Sequence, residues 1–209
     1  MRSARDPSRL LAFLGATFLL VFLWSAIGPK DRGVWWLEVF PAIIGAVVLL
    51  AIYGRLRVTP ILYVLIWVHA LVLLVGGHYT YAEVPLFNWI RDSFGLARNH
   101  YDRVGHLMQG FVPAMIAREI LLRVTPLRPG KMLYFLCTCI ALAISAFYEL
   151  LEWWVAVASK TGADAFLGTQ GDVWDTQWDM FLALCGAIAS QILLGWLQDR
   201  QLRAMRVVR

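Results

Sequence analysis

The sequence predicts an all-α fold, a polytopic membrane helix bundle with six transmembrane helices and a short outer interfacial helix, forming a single integral membrane domain over residues 1–209. Three observations carry this. Residues of the AVILMFWYC set make up 60% of the chain and charged residues only 16%, above and below their usual shares in soluble domains. The apolar residues gather into six stretches of about the 20 residues that cross a roughly 30 Å hydrocarbon core. Lys and Arg fall in the short segments between those stretches, with a bias to one side.

Taken in order, the first span, 10–27, follows Arg2, Arg5 and Arg9. That start resembles a signal peptide, but no A-x-A cleavage site follows and more spans do, so it reads as an uncleaved first helix. A Gly28-Pro29-Lys30-Asp31 turn leads into the second span, 34–53, and the Gly54 to Pro60 segment into the third, 61–77. Within the long polar stretch from His78 to His100, Phe87, Ile90 and Phe94 are spaced three and four apart, which suits a short helix lying on a membrane surface. The fourth span, 101–123, and the fifth, 131–154, flank the Thr125 to Gly130 turn. The sixth, 177–198, follows a second polar stretch from Ser159 to Thr176.

With this topology, thirteen of the 19 Lys and Arg residues lie on the side of the N-terminus and six, Lys30, Arg32, Arg91, Arg98, Arg103 and Lys160, on the other. The positive-inside rule then predicts both termini to be cytoplasmic and both long polar stretches to face outward. The net charge of +5 is dispersed and forms no basic face, so no nucleic-acid partner is expected. Trp35, Trp36, Trp153, Trp154, Trp174 and Trp178 fall near the expected outer interface and read as an aromatic belt. Cys137, Cys139 and Cys185 lie in apolar spans without C-x-x-C spacing and read as packing residues.

Ionisable side chains are costly in such a setting, and seven of them, Glu38, His78, Asp102, His106, Glu149, Glu152 and Asp179, come to the same outer end. Asp102 and His106 are four apart at the start of the fourth span and share a helical face, with Gly110 one turn further on to admit a close neighbour. Ser145, Glu149 and Glu152 form one stripe, and Glu149 lies about 27 Å along the fifth helix from Lys131 at about 1.5 Å per residue. Two carboxylates on one face repel unless a cation or a proton lies between them. Asp172 and Asp175 complement a helix N-terminus without further purpose, whereas Asp179 is followed at once by an apolar run. Asp102, His106, Glu149 and Asp179 are therefore the candidate catalytic residues and the candidate ligands of a divalent metal ion. Arg103, Glu152, His78 and Glu38 are candidates for substrate binding, Arg103 through an anionic group such as a phosphate. His69, near the midplane, reads as a hydrogen-bonded bundle residue.

His78-Tyr79-Thr80-Tyr81, the string from Asn99 to His106, Glu149-x-x-Glu152-Trp153 and the stretch from Gly168 to Asp179 resemble the YjdF-like family of small bacterial inner-membrane proteins of unknown function. More distantly, Asp102-Arg103-x-x-His106, the glutamates of the fifth span and Asp175-x-x-x-Asp179 with Gly186 resemble VanZ-like membrane proteins, a family associated with cell-envelope phenotypes. The resemblance implies a multi-pass protein of the bacterial inner membrane with a shared site.

Three functions stay open at this point. The first is an enzyme acting on an anionic envelope lipid or lipid-linked group, with a metal that activates water or polarises the scissile bond. The second is a non-catalytic scaffold whose charges tie helix ends together. The third is a small proton-coupled transporter, for which His69, Pro41 and Pro113 are the midspan candidates.

Overall fold

A computed structural model describes residues 8–159 and 169–207. Arg2, Arg5, Lys160, Gly168 and Arg209, used above for topology or motif, lie outside the described residues. Among the described residues the chain forms α-helices only: α1 (Ser8–Ala26), α2 (Arg32–Ile52), α3 (Pro60–Tyr79), α4 (Pro85–Phe94), α5 (Tyr101–Val124), α6 (Lys131–Ser159) and α7 (Asp175–Ala204). Five of these, α1, α2, α3, α6 and α7, are long and apolar enough to cross a membrane.

Local chemistry sets the helix starts. Asp31 caps α2 by accepting a 2.9 Å hydrogen bond from the Val34 amide. Pro60 and Pro85 open α3 and α4, where a missing N–H costs nothing. Gly95 ends α4 in the left-handed region at φ 60°. Helix ends fall within two residues of the limits of the apolar stretches, except that α6 and α7 run on past 154 and 198. The extension of α7 is amphipathic: Gln198 and Leu202 are fully buried, and Gln201 accepts a hydrogen bond from the Ile61 amide at 3.0 Å. Helix α7 thus continues beyond its apolar run because its polar end still packs.

At the centre lies α5, packed on α3, α6 and α7. Among the long helices of the described residues it alone lacks an apolar run sufficient to cross a membrane, and polar residues along it face the protein: Asp102, His106, Arg118 and Glu119 are all buried. Close approach of α5 to α7 rests on glycine. A side chain on Gly110 would collide with the Ala183 backbone, and one on Gly186 with the Leu107 carbonyl.

The bundle has two polar ends. The end holding Ser8 and Val207 is closed by a fully bonded network. Glu119 accepts from the Thr59 amide (2.9 Å), the Thr59 hydroxyl (2.6 Å), Arg123 (2.6 Å) and Gln198 (3.2 Å), while Arg118 donates to Gln198 (3.0 Å) and Asp199 (2.7 Å). The opposite end carries α4, the loops, and the acidic residues singled out above.

Five tryptophans of the expected belt, Trp36, Trp153, Trp154, Trp174 and Trp178, are exposed at this second end. Trp35 departs from it. It is 4% exposed and its indole N–H donates to the buried Ser25 hydroxyl at 2.8 Å, so it joins α1 to α2. Cys137 packs in the core as expected, whereas Cys139, two residues on, is exposed. The apolar face of α4 is Leu86, Trp89 and Phe94, all exposed, while Phe87 turns inward to meet the Tyr101 ring at 5.2 Å.

Candidate functional site

The second end is held in shape by the loop before α5 and the loop before α7. Asn99 and Gln170 bond reciprocally, the Asn99 amide donating to Gln170 Oε1 (3.0 Å) and Gln170 Nε2 to the Asn99 carbonyl (2.9 Å). The Asn99 side chain also donates to the Val84 carbonyl and to Asn88, which fixes α4 against the same point. Beside it Arg98, 5% exposed, gathers Asp175, Asp102 (3.5 Å) and Asp172 (3.7 Å), and donates to the Thr169 carbonyl (3.2 Å).

From this frame α5 projects His106 into a ring of acids. Its Nε2 lies 3.4 Å from Asp102 Oδ1 and 3.8 Å from Asp179 Oδ2; its Nδ1 lies 3.6 Å from Glu149 Oε1 and 3.1 Å from Gln109 Oε1. Ligand atoms of Asp102, His106 and Asp179 all lie within 4.8 Å of one another. Glu149 meets the other ring nitrogen, so it stands behind the imidazole and apart from that trio. Its place suits a group that orients the ring and raises its basicity.

Next to this cluster is a cavity of about 180 Å³ between α2, α3, α5 and α6. Glu38, Asp102, His106 and Glu152 line its polar part, and Tyr148 donates to Glu38 across it at 3.3 Å. Its deeper wall includes His69, Pro41 and Pro113. Thr80 and Tyr81, also lining it, follow α3 in the left-handed region at φ 61° and 54°. A β-branched residue is rarely held there, and such strain tends to persist at functional sites. The Tyr81 ring fits a slot against Gly76 and Gly105, where a Cβ on Gly105 would come within 2.9 Å of the ring. Burial, and then the neighbouring Glu38, push the Tyr81 phenol well above its usual range, so it stays protonated and able to donate.

The sequence candidates therefore separate. Asp102, His106 and Asp179 converge, with Glu149 behind the ring and Glu38 and Glu152 on the cavity wall. Arg103 is engaged elsewhere, paired with Asp172 at 3.0 Å and lying over the Trp178 ring at 5.2 Å. His78 does not join the cluster: its Nδ1 bonds the Ser25 carbonyl at 3.1 Å and its ring packs on Trp24. Three participants escaped sequence reasoning, and Gln109, three residues after His106, is one of them. Arg98 could have been found as the cation four residues before Asp102; Tyr148 carries no comparable signal.

Charge and hydrogen bonding both stay unbalanced here. Among the described residues, seven carboxylates (Glu38, Asp102, Glu149, Glu152, Asp172, Asp175 and Asp179) face two guanidiniums, Arg98 and Arg103, and one imidazole. Glu149 Oε1, Asp175 Oδ2, Asp179 Oδ1 and Ser145 Oγ are buried with no hydrogen-bond partner among those residues. No carboxylate oxygen of the opposite network is in that condition. A buried carboxylate left this way is costly unless a cation or a proton completes it.

Residues 10–200 match the model of a family described as predicted membrane protein (DUF2238). The chain is 51% identical over 192 residues, 92% of each chain, to the inner membrane protein YjdF of Escherichia coli (strain K12). No solved structure matches. With a family match along nearly its whole length and a relative of this identity, the chain belongs to the DUF2238 family of predicted membrane proteins.

Proposed function

We propose that the protein is a multi-pass enzyme of the bacterial inner membrane whose Asp102, His106 and Asp179 hold a divalent metal ion, acting on a membrane lipid or lipid-linked group by hydrolysis or transfer. The observation that carries this is the convergence of those three donors beside a cavity, in a cluster with surplus carboxylates. The donor separations of 3.4 and 3.8 Å fall inside the about 4.4 Å that two ligands at about 2.2 Å from one ion can span. Oxygen and imidazole donors suit several divalent ions. A bound ion would supply Lewis acidity and an activated water. The chain's own residues would do the rest: Arg98 holds Asp102 in place, Glu149 and Gln109 fix the His106 ring, and Glu38 and Glu152 are placed to bind substrate or carry protons.

In this reading α5 also crosses the membrane, making six spans in all, both termini are cytoplasmic, the acidic end faces outward, and the exposed apolar face of α4 rests on the outer leaflet. The distribution of Lys and Arg supports the orientation, and the printed name of the Escherichia coli relative supports the location. The strings that resemble VanZ-like sequences supply all three donors.

Elemental analysis of the purified protein tests the reading. One divalent ion per chain, lost in His106→Ala and in Asp179→Asn, is expected; metal-free protein that retains its cellular role would defeat it.

A transporter reading is favoured by one observation: His69, Pro41 and Pro113 line the same cavity as His106. Each proline leaves a carbonyl without its helical partner, at Leu37 and Gln109. Uptake into proteoliposomes driven by a pH gradient and abolished in His69→Ala would establish it over the enzyme.

A further inference from the structure

The cavity beside the cluster has a sign and a doorway, and together they specify what enters. Its sign is negative: Glu38, Asp102 and Glu152 contribute to its wall, and no Lys or Arg among the described residues does. Arg103, the cation expected to receive a phosphate, is held by Asp172 and Trp178, and Arg98 is clasped by three aspartates. An anionic group would meet Glu38 and Glu152 here, at low dielectric and with no Lys or Arg in the lining to pair it. A cationic group would meet carboxylates together with the rings of Tyr81 and Tyr148, whose faces attract cations.

The doorway lies between α2 and α6. Helix α2 packs on α3, and α6 packs on α5 and α7, but α2 and α6 form no packing seam with each other. The Tyr148 to Glu38 hydrogen bond spans the gap between them. Large apolar side chains are exposed on both helices: Leu37 and Phe40 on α2, and Ile144, Phe147 and Leu151 on α6. A molecule crossing this gap passes from an apolar surroundings to an acidic pocket. With a volume of about 180 Å³ the pocket has room for a small polar headgroup.

We infer that the cavity binds the ammonium of a membrane amphiphile, an aminoalkyl headgroup of the ethanolamine type, admitted laterally between α2 and α6 with Glu38, Glu152 and Tyr148 as its receptors. This names the substrate class for the site proposed above and rests on that reading.

The test is native mass spectrometry of the protein released from mixed micelles holding equal amounts of an ethanolamine-headgroup and a glycerol-headgroup phospholipid with the same acyl chains. We expect the ethanolamine lipid to be retained about tenfold over the glycerol lipid, and the ratio to fall to about one in Glu38→Gln/Glu152→Gln. Equal retention, preference for the glycerol lipid, or selectivity that survives the double substitution would overturn the inference. Because that variant alters buried carboxylates, the wild-type protein is also challenged with soluble ethanolamine. Failure of the free amine to displace the lipid at matched concentration is expected; displacement would put the ligand in water and overturn lateral entry. Metal content of the same samples reads the proposed centre separately: lipid selectivity without metal keeps the inference and removes the metal reading, and metal without selectivity does the reverse.

Discussion

Gly110 of α5 lies against the backbone of Ala183 of α7, closer than any Cβ could be accommodated. One turn toward the acidic end from each of these residues stand His106 and Asp179. The two helices run in the same direction from that end, so their tightest crossing sets the separation of the two side chains. Site geometry is thus an outcome of backbone packing, one turn removed.

Widening that crossing should open the site. Gly110→Val is expected to lower stability by about 1–3 kcal/mol through overpacking and to abolish metal retention. Gly45→Ala, whose new Cβ meets nothing within 4 Å, is expected to be neutral or slightly stabilising. Thermal unfolding in detergent, with metal content on the same samples, checks both.

The two polar ends should answer mutation oppositely. Glu119→Ala strands the Thr59 amide and three side-chain donors, the Thr59 hydroxyl, Arg123 and Gln198, and is expected to cost about 3–5 kcal/mol. Glu149→Gln removes a carboxylate from a crowded acidic ring, and is expected to leave thermal stability unchanged or raised while function falls. A fall in melting temperature for Glu149→Gln as large as for Glu119→Ala would make both ends structural.

Glu149 and Asp179 should also differ in kind. Asp179→Asn takes away a proposed ligand and should remove the metal. Glu149→Gln touches only the rear nitrogen of His106 and should weaken affinity by about 10–100-fold without eliminating binding. Competitive titration against a chelator of known affinity distinguishes the two.

His100 gives stability a pH dependence of definite sign. Burial, followed by the charges of Arg103 and Arg98, holds its imidazole below the ordinary histidine range. The unfolded chain then binds this proton more readily, so the contribution is present above about pH 6.5 and is lost as pH falls below it. His100→Gln is expected to flatten the decline in melting temperature between about pH 7 and pH 5.

Much of this was legible in the sequence. Long helices follow from apolar runs, the α4 helix from Phe87, Ile90 and Phe94, and the Asp102 to His106 face from a four-residue spacing. Depth along a helix is also countable, and it put Glu149 and Asp179 at one level. What spacing does not report is azimuth between helices. Nothing in the sequence says that His78 turns toward Trp24 and away from His106, or that Trp35 is buried beside Ser25. His69, whose midplane depth suggests a hydrogen-bonded bundle residue, borders the cavity. Of the Glu119 network only the Arg123 pair, four residues on along the same helix, is legible from spacing; Thr59 and Gln198 come from separate stretches and carry no such signal.

The polarity of α5 bears on how the protein is made. Charged side chains in an apolar helix oppose its insertion into lipid, and α5 carries Arg118 and Glu119 adjacent to one another near its C-terminal end. The partners of Arg118, Gln198 and Asp199, belong to α7, which leaves the ribosome after α5. If α5 crosses the membrane, as proposed above, it is a segment that lipid disfavours until α7 arrives. Assembly would then retain it beside the insertion machinery through the production of some eighty further residues, and a chain stopped before α7 is expected to be recognised as defective and degraded.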